Sequence, residues 1–524
     1  MGTGAVTNSS VAEGYLQFVD HRRTWYNNKR LIVLHAWIIL LLITSSTSGY
    51  DGSLMNSFQS LKLWNSYFNN PHGGQLGLLN AIQNIGSLAG YPFAPYLSDG
   101  MGRRRTVWLG AAIMLVAVAV QAAAHNLKMF IAARFLIGFG LTFAANAAPM
   151  LITELSYPLY RAQLTALYNT LWSSGSIVAT WTTFGTEFIK NNWAWRIPSI
   201  LQGFPSIFQF VLVLGAPESP RWLVSKGREV EALKTLAYYH ADGDETDPLV
   251  LFEFNEIRTG IELDRTIAAN VGWTSLYKTK GNRRRMIIII AIGFFSQWSG
   301  NGLISYYLHA VFDTVGITNT TIQLLINGIL SIWNLAWGVA TSFVCERLGR
   351  RPLFLASAAG MLLFFVLQTI CTARYAVTQD TSAGHAVIAC IFLYSAAYHL
   401  AFLPLIVSYT VEILPYSLRA KGLTAFNFVV SLALIFNQYV NPIALERLAW
   451  KYYIVYCCWL AFELVFVYIF VVETKNLSLE ETAALFDGDD VQSALGTVVA
   501  ELRNGDVKDE KDSDSLPFRG KEKV

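Results

Sequence analysis

Long apolar runs alternate with short polar loops over most of this 524-residue chain. Runs of about 18 or more largely apolar residues match the ~30 Å hydrocarbon layer of a membrane. Twelve such spans are predicted. The first six lie at about 31–56, 76–97, 106–124, 129–152, 163–186 and 197–216. The other six lie at about 286–312, 322–345, 353–373, 386–411, 422–442 and 452–472. Each is predicted to be helical, because unpaired backbone groups are too costly in lipid. The expected fold class is an all-α membrane protein of two six-helix halves, 31–216 and 286–472. A polar segment, 1–30, precedes them, a linker at 217–285 joins them, and a tail at 473–524 follows. The linker is charged and locally periodic, as in "GREVEALKTLAYYH", and is predicted to form amphipathic helices. After about residue 487 the tail is polar and reads as disordered.

Composition supports this division. The chain is 53% hydrophobic and only 14% charged, against the roughly 25% charged usual for soluble proteins. A net charge of +3 gives no basis for nucleic-acid binding. Neither the cysteines nor the histidines have metal-ligand spacing, and no nucleophile–base set or cofactor loop is visible. Enzymatic activity, a metal and a cofactor are therefore not expected. Lys and Arg in short loops set orientation. Arg103, Arg104, Arg105, Arg161, Arg347, Arg350, Arg351, Arg419 and Lys421 fall in one set of loops, on the side of both termini and the linker. That side is expected to be cytoplasmic. No removable signal peptide is visible, so the first span is expected to direct insertion. The sequon at Asn319 falls on the other side.

The halves echo one another. "SDGMGRRR" follows the second span and "CERLGRRP" the eighth. Glu154 precedes Arg161 by seven residues, as Glu412 precedes Arg419. "PESPRW" follows the sixth span and "VETKN" the twelfth. Three echoes in order, each offset by roughly 250 residues, argue for a duplicated six-helix unit. Carriers that alternate access around a midplane site are built this way.

These motifs, with Arg134, Pro149 and "SYY" at 305–307, resemble the sugar porter family of the major facilitator superfamily over about residues 30–480. "SQWSGNGLISYYL" at 296–308 and "YNTLW" at 168–172 are further similar to fungal cellodextrin and lactose permeases. The resemblance implies the major facilitator fold and a plasma-membrane importer of sugar with protons, acting as a monomer in the bilayer. A hexose facilitator without protons and a transporter-like sugar sensor stay open as alternatives.

Asp51 and Arg134 are the informative charges within the spans. A charge at membrane depth tends to be paired or functional. The residues alone leave two readings of Asp51, a buried group or a solvated one near a helix end. The resemblance implies that Asp51 binds the proton and Arg134 is its partner. It also places Asn169, Gln297, Tyr306 and Asn334 at or near sugar-contacting positions, with Asn301 one position out of register. Val407 stands where the family has a tryptophan, Asn169 where it has a glutamine, and Ser296 begins its paired-glutamine motif. These shorter side chains would enlarge the pocket and favour a disaccharide or short oligosaccharide such as lactose or cellobiose. A third set comprises Asp99, Arg103, Arg104, Glu154, Arg161, Glu218, Arg221, Glu346, Arg350, Glu412 and Arg419. Acids opposite arginines can form networks that hold the halves together at the cytoplasmic end and that must break when the carrier opens inward, biasing the equilibrium rather than locking it. The simpler alternative is that these arginines only set topology.

Overall fold

The computed structural model describes residues 25–270, 272–402, 405–475, 482, 485 and 486. The side chains of 162, 166, 169, 263–270, 342–347, 416, 417 and 420 are outside this description. Asn169 and Glu346 are among these, and the tail after 487 is also outside.

Helix occupies every expected span, in one piece or two. The unbroken spans are Lys29–Ser60 (first), Arg103–Ala122 (third), Leu127–Leu155 (fourth), Pro158–Thr186 (fifth), Thr320–Leu348 (eighth), Arg350–Thr378 (ninth), Tyr416–Leu448 (eleventh) and Tyr452–Phe470 (twelfth). Among the described residues, nine helical stretches are long and apolar enough to cross a membrane. The second and fifth spans are not among these; Gln75, Asn80, Gln83 and Asn84 dilute the second.

Four spans expected to be continuous are broken. The second is Gly73–Gly90 followed by Ala94–Met101. The sixth is Trp193–Leu201 followed by Phe204–Leu212, with Pro205 near the start of its second piece. The tenth is Thr381–His399 followed by Leu405–Ile413. The seventh is Lys280–Trp298 followed by Asn301–Asp313. Between its pieces Gly300 takes φ 99°, a left-handed conformation that suits glycine. The linker forms Pro220–Ser225, Glu229–His240, Pro248–Asn270 and Ser275–Lys278.

The repeat seen in the sequence is also a repeat of contacts. Glu218 Oε1 accepts the backbone N–H groups of Arg103 (3.0 Å) and Arg104 (3.2 Å) at the start of the third helix. Glu473 accepts those of Arg350 (2.9 Å) and Arg351 (3.1 Å) at the start of the ninth. Both helices follow a glycine of positive φ, Gly102 at 99° and Gly349 at 92°. A Cβ added there would meet Glu218 Oε2 at 2.4 Å or Glu473 Oε2 at 2.9 Å. Each carboxylate therefore caps a helix N-terminus, where negative charge is favoured by the free N–H groups and the helix dipole.

Burial acts to raise the Glu473 carboxyl, but hydrogen bonds from the backbone of Arg350, Lys475, Arg351 and Thr474 outweigh it and hold the group below the usual carboxylate range. Its contribution to stability is thus present at neutral pH and is lost as pH falls through the lowered value. Glu473→Gln should lower the thermal midpoint of the purified protein at neutral pH. That deficit should shrink on acidification. A deficit that does not change with pH would contradict the capping role of the charge.

Candidate functional site

The first helix faces two environments. Asp51 points into the N-terminal half and is 0% exposed. Its neighbours Gly52 and Ser53, with Asn56 one turn on, line a cavity between the halves.

Inside the N-terminal half, Asp51 Oδ1 accepts from Arg134 Nη1 at 2.5 Å and from Gln202 Nε2 at 2.5 Å. Arg134 Nη2 donates to Gln83 Oε1 at 2.6 Å, and Gln121 Nε2 to Gln202 Oε1 at 3.2 Å. Five side chains from the first, second, third, fourth and sixth spans thus form one network. Asp51 and Arg134 are brought together as expected, and the solvated reading of Asp51 does not hold. The three glutamines were not singled out from the sequence. Their signal was only that each is an amide in an apolar span, which equally describes a residue joining helices. A buried charged pair is held by such surrounding bonds. Asp51 Oδ2 is buried without a hydrogen-bond partner among the described residues.

The cavity is about 230 Å³. The seventh span contributes Gln297, Asn301, Ser305 and Tyr306, and the eighth Asn327, Ser331 and Asn334. The fifth helix adds Trp172 and Ser176, and the tenth adds Tyr394, Tyr398 and His399. Gln297, Asn301, Tyr306 and Asn334 are therefore together, as the sequence implied. Val407 is not: it is 52% exposed and is not part of the cavity wall. It belongs to the second piece of the tenth span, beyond the break, whereas the cavity takes its residues from the first piece. Trp298 likewise faces away, packing on Phe436 with its indole N–H donating to Ala433 O at 3.1 Å.

The break in the seventh span makes the polar wall. It frees the Ser296 carbonyl, which accepts from Asn301 Nδ2 (3.0 Å) and from the Tyr398 hydroxyl (2.8 Å). Asn301 Oδ1 is buried without a hydrogen-bond partner among the described residues. Asn334 Oδ1 accepts from Ser395 at 2.5 Å. Amides and hydroxyls that donate and accept, beside the rings of Trp172, Tyr394 and Tyr398, suit a polyhydroxylated ring with apolar C–H faces.

The halves meet at one end. Asn56 Nδ2 donates to Asn327 Oδ1 at 3.3 Å, Gln59 Nε2 to Tyr306 O at 2.8 Å, and Asn84 Nδ2 to Gln438 Oε1 at 2.6 Å. Thr321, at the start of the eighth helix, donates to Glu187 at 2.9 Å. That is the opposite end of the helix from Leu348 and the arginines that follow it.

At the arginine-rich end the described ion pairs lie within a half or reach the linker. Arg103 pairs with Asp99 at 3.0 Å, and its Nε lies 3.4 Å from Glu154, close in charge but outside hydrogen-bond geometry. Arg350 pairs with Glu412 at 3.0 Å. Arg161 pairs with Glu253 of the linker at 3.1 Å. Arg104 donates to the Leu214 and Ala216 carbonyls at 3.1 and 2.9 Å. Arg221 acts on Glu154 electrostatically. Arg419 lies near the start of the eleventh helix. Among the described residues, the pairs of Arg103 and Arg350 thus lie inside their own halves in this conformation. For these two the reason is local: each follows a glycine of positive φ, Gly102 or Gly349, at the start of its helix.

A helical body of two like halves, with a polar cavity between them and a buried acid–base pair beside it, defines a secondary carrier. Residues 37–486 match the family model described as "Sugar (and other) transporter", and the chain belongs to that family, the sugar porters of the major facilitator superfamily. It is 30% identical over 416 residues to the MFS-type transporter oryC of Aspergillus oryzae, covering 78% of this chain and 76% of that protein. It is 27% identical over 492 residues to a high-affinity glucose transporter of Kluyveromyces lactis, covering 89% and 87%. The inward-open xylose transporter XylE of E. coli superposes with a TM-score of 0.71 at 21% identity, covering 86% of this chain and 100% of XylE. The protein is thus a membrane sugar transporter, not an enzyme.

Proposed function

We propose that this protein is a proton-coupled sugar symporter of the plasma membrane, with its arginine-rich loops and both termini in the cytoplasm. The observation that carries the reading is the buried Asp51–Arg134 pair, whose acid lies on the same helix that supplies Gly52, Ser53 and Asn56 to the cavity. A rigid helix shared by both sites couples them, since a shift that admits sugar also moves Asp51 relative to Arg134. With this orientation, the conformation described is closed outside and faces the cytoplasm, where the proton and sugar would leave. The ion pairs of Arg103 and Arg350 then act within the halves and shift the balance between inward and outward states. Action as a monomer belongs to the same proposal.

Two substrate readings are in competition. A disaccharide such as lactose or cellobiose is supported by Ser296 and Asn169, shorter than their family counterparts. With Val407 away from the wall, that support is thinner than the sequence implied. A single-ring sugar is supported by the cavity volume of about 230 Å³, which is below the ~300–1,000 Å³ of pockets for larger ligands. Uptake of labelled glucose, xylose, lactose and cellobiose in a transporter-deficient cell, at two external pH values, separates them. Disaccharide uptake that rises in acid supports the first reading. Monosaccharide uptake without disaccharide competition overturns it.

A further inference from the structure

The twelfth helix carries a lone acid in the apolar run "CCWLAFELVFVYIF". Glu463 is 0% exposed. No cationic side chain among the described residues pairs with it. Its carboxyl oxygens lie 3.1 and 2.9 Å from Ser299 Oγ, which also bonds the Phe295 carbonyl. The Trp459 indole N–H, one turn earlier, approaches the carboxyl without good hydrogen-bond geometry. The titratable groups facing it from the tenth span are the hydroxyls of Tyr394 and Tyr398. The ninth helix packs alongside with Thr369 against Cys457 and brings no charge to this contact.

Counting hydrogens decides the state of the acid. Ser299 Oγ has one hydrogen and three oxygen neighbours that would accept it. If Glu463 is ionised, either the anion or the Phe295 carbonyl loses its donor. A buried anion with at most one donor and no cation is costly. If Glu463 is neutral, its O–H donates to Ser299 Oγ and the Ser299 O–H donates to Phe295 O. The contacts of Ser299 Oγ with Glu463 and with Phe295 O are then both satisfied.

Ser299 is the residue at which the seventh span breaks. Its carbonyl accepts the Tyr394 hydroxyl at 2.7 Å. Tyr394 lines the cavity, and Asn301 follows Gly300 directly. We infer that Glu463 is a proton-bearing, neutral acid that latches the seventh-span break and so positions Asn301 and Tyr394 for the sugar. It is a positioning residue in the C-terminal half, separate from Asp51 in the N-terminal half. The inference rests on the sugar-transport reading but not on proton coupling.

The test combines infrared spectroscopy with sugar binding on the purified full-length protein, using whichever sugar the uptake panel identifies. At neutral pH the wild-type protein should show a protonated-carboxyl band that persists in Asp51→Asn and disappears in Glu463→Gln. Glu463→Ala should weaken sugar binding about ten-fold, the scale of one lost buried hydrogen bond. Glu463→Gln, which keeps an N–H donor toward Ser299, should restore affinity to within about two-fold of wild type. Ser299→Ala gives a second route if Glu463→Ala folds poorly, with the same expected loss. A band unaffected by Glu463→Gln, or affinity unchanged in both alanine variants, would overturn the inference. Wild-type protein that binds no sugar would instead count against the transport reading.

Discussion

Asp51→Asn should abolish accumulation of sugar against its gradient while leaving exchange of sugar across the membrane. Asparagine matches aspartate in shape and resembles its neutral form, so the bonds to Gln202 and Arg134 can be partly kept. It cannot gain and lose a proton. One charge moved through 100 mV supplies about 2.3 kcal/mol, equivalent to an accumulation of about fifty-fold. Without a titrating group at residue 51, the inside-to-outside ratio should fall to about one. Arg134→Ala should be worse for the folded protein, because breaking a buried pair leaves an uncompensated charge at a cost of about 3–5 kcal/mol. The two variants therefore separate coupling from stability. Labelled-sugar accumulation in vesicles with an imposed proton gradient, set beside counterflow without one, reads both. Accumulation by Asp51→Asn equal to wild type would remove Asp51 from coupling.

Substitution of Gly49 should damage the protein as severely, for a packing reason. The first and fifth helices cross with backbones nearly touching. A Cβ on Gly49 would lie 1.8 Å from the Trp172 carbonyl oxygen, and one on Gly175 would lie 1.8 Å from that of Ser46. Serines join the same seam: Ser53 to Ser176 at 2.7 Å, and Ser46 to Ser174 at 3.0 Å. Small residues and interhelical hydroxyl bonds are what allow such close approach in lipid, where the hydrophobic effect gives helices little drive to associate. Backbone atoms cannot rotate away as a side chain can. Gly49→Ala should cost roughly 1–3 kcal/mol through overpacking, and Gly49→Leu should yield little folded protein. The same seam sets Ser53, Trp172 and Ser176 in the cavity, so surviving Gly49→Ala protein should also bind sugar less well. Thermal unfolding and ligand binding on Gly49→Ala check both effects. Wild-type stability in that variant would contradict the crossing.

The spans were legible because apolar length is a local property of the chain. The breaks were less so. Gly300 within "WSGNG" was visible as a glycine, but its positive φ depends on Ser296, Tyr398 and Ser299 finding partners on other helices. Asp51 and Arg134 stood out because charge is rare at membrane depth. Gln83, Gln121 and Gln202 did not, because an uncharged amide reveals its role only when three distant spans converge. The arginine and glutamate motifs marked equivalent helix ends, and the contacts of Glu218 and Glu473 carry the duplication further than the motifs did. Their partners were less legible, since spacing along the chain cannot distinguish a bond within a half from one between halves. Val407 was placed in the pocket by the family resemblance, and it lies beyond the break in the tenth span, away from the cavity wall. Glu463 carried the same signal as Asp51, a lone acid in an apolar run, and could have been found by the same reasoning.

The most direct test of proton–sugar symport is made with purified protein in liposomes, starting from equal pH on both sides and weakly buffered outside. Adding transported sugar outside should raise the external pH as protons enter with it, and Asp51→Asn should show no rise at the same sugar concentration. Sugar entry with no change in external pH by the wild-type protein would contradict the account.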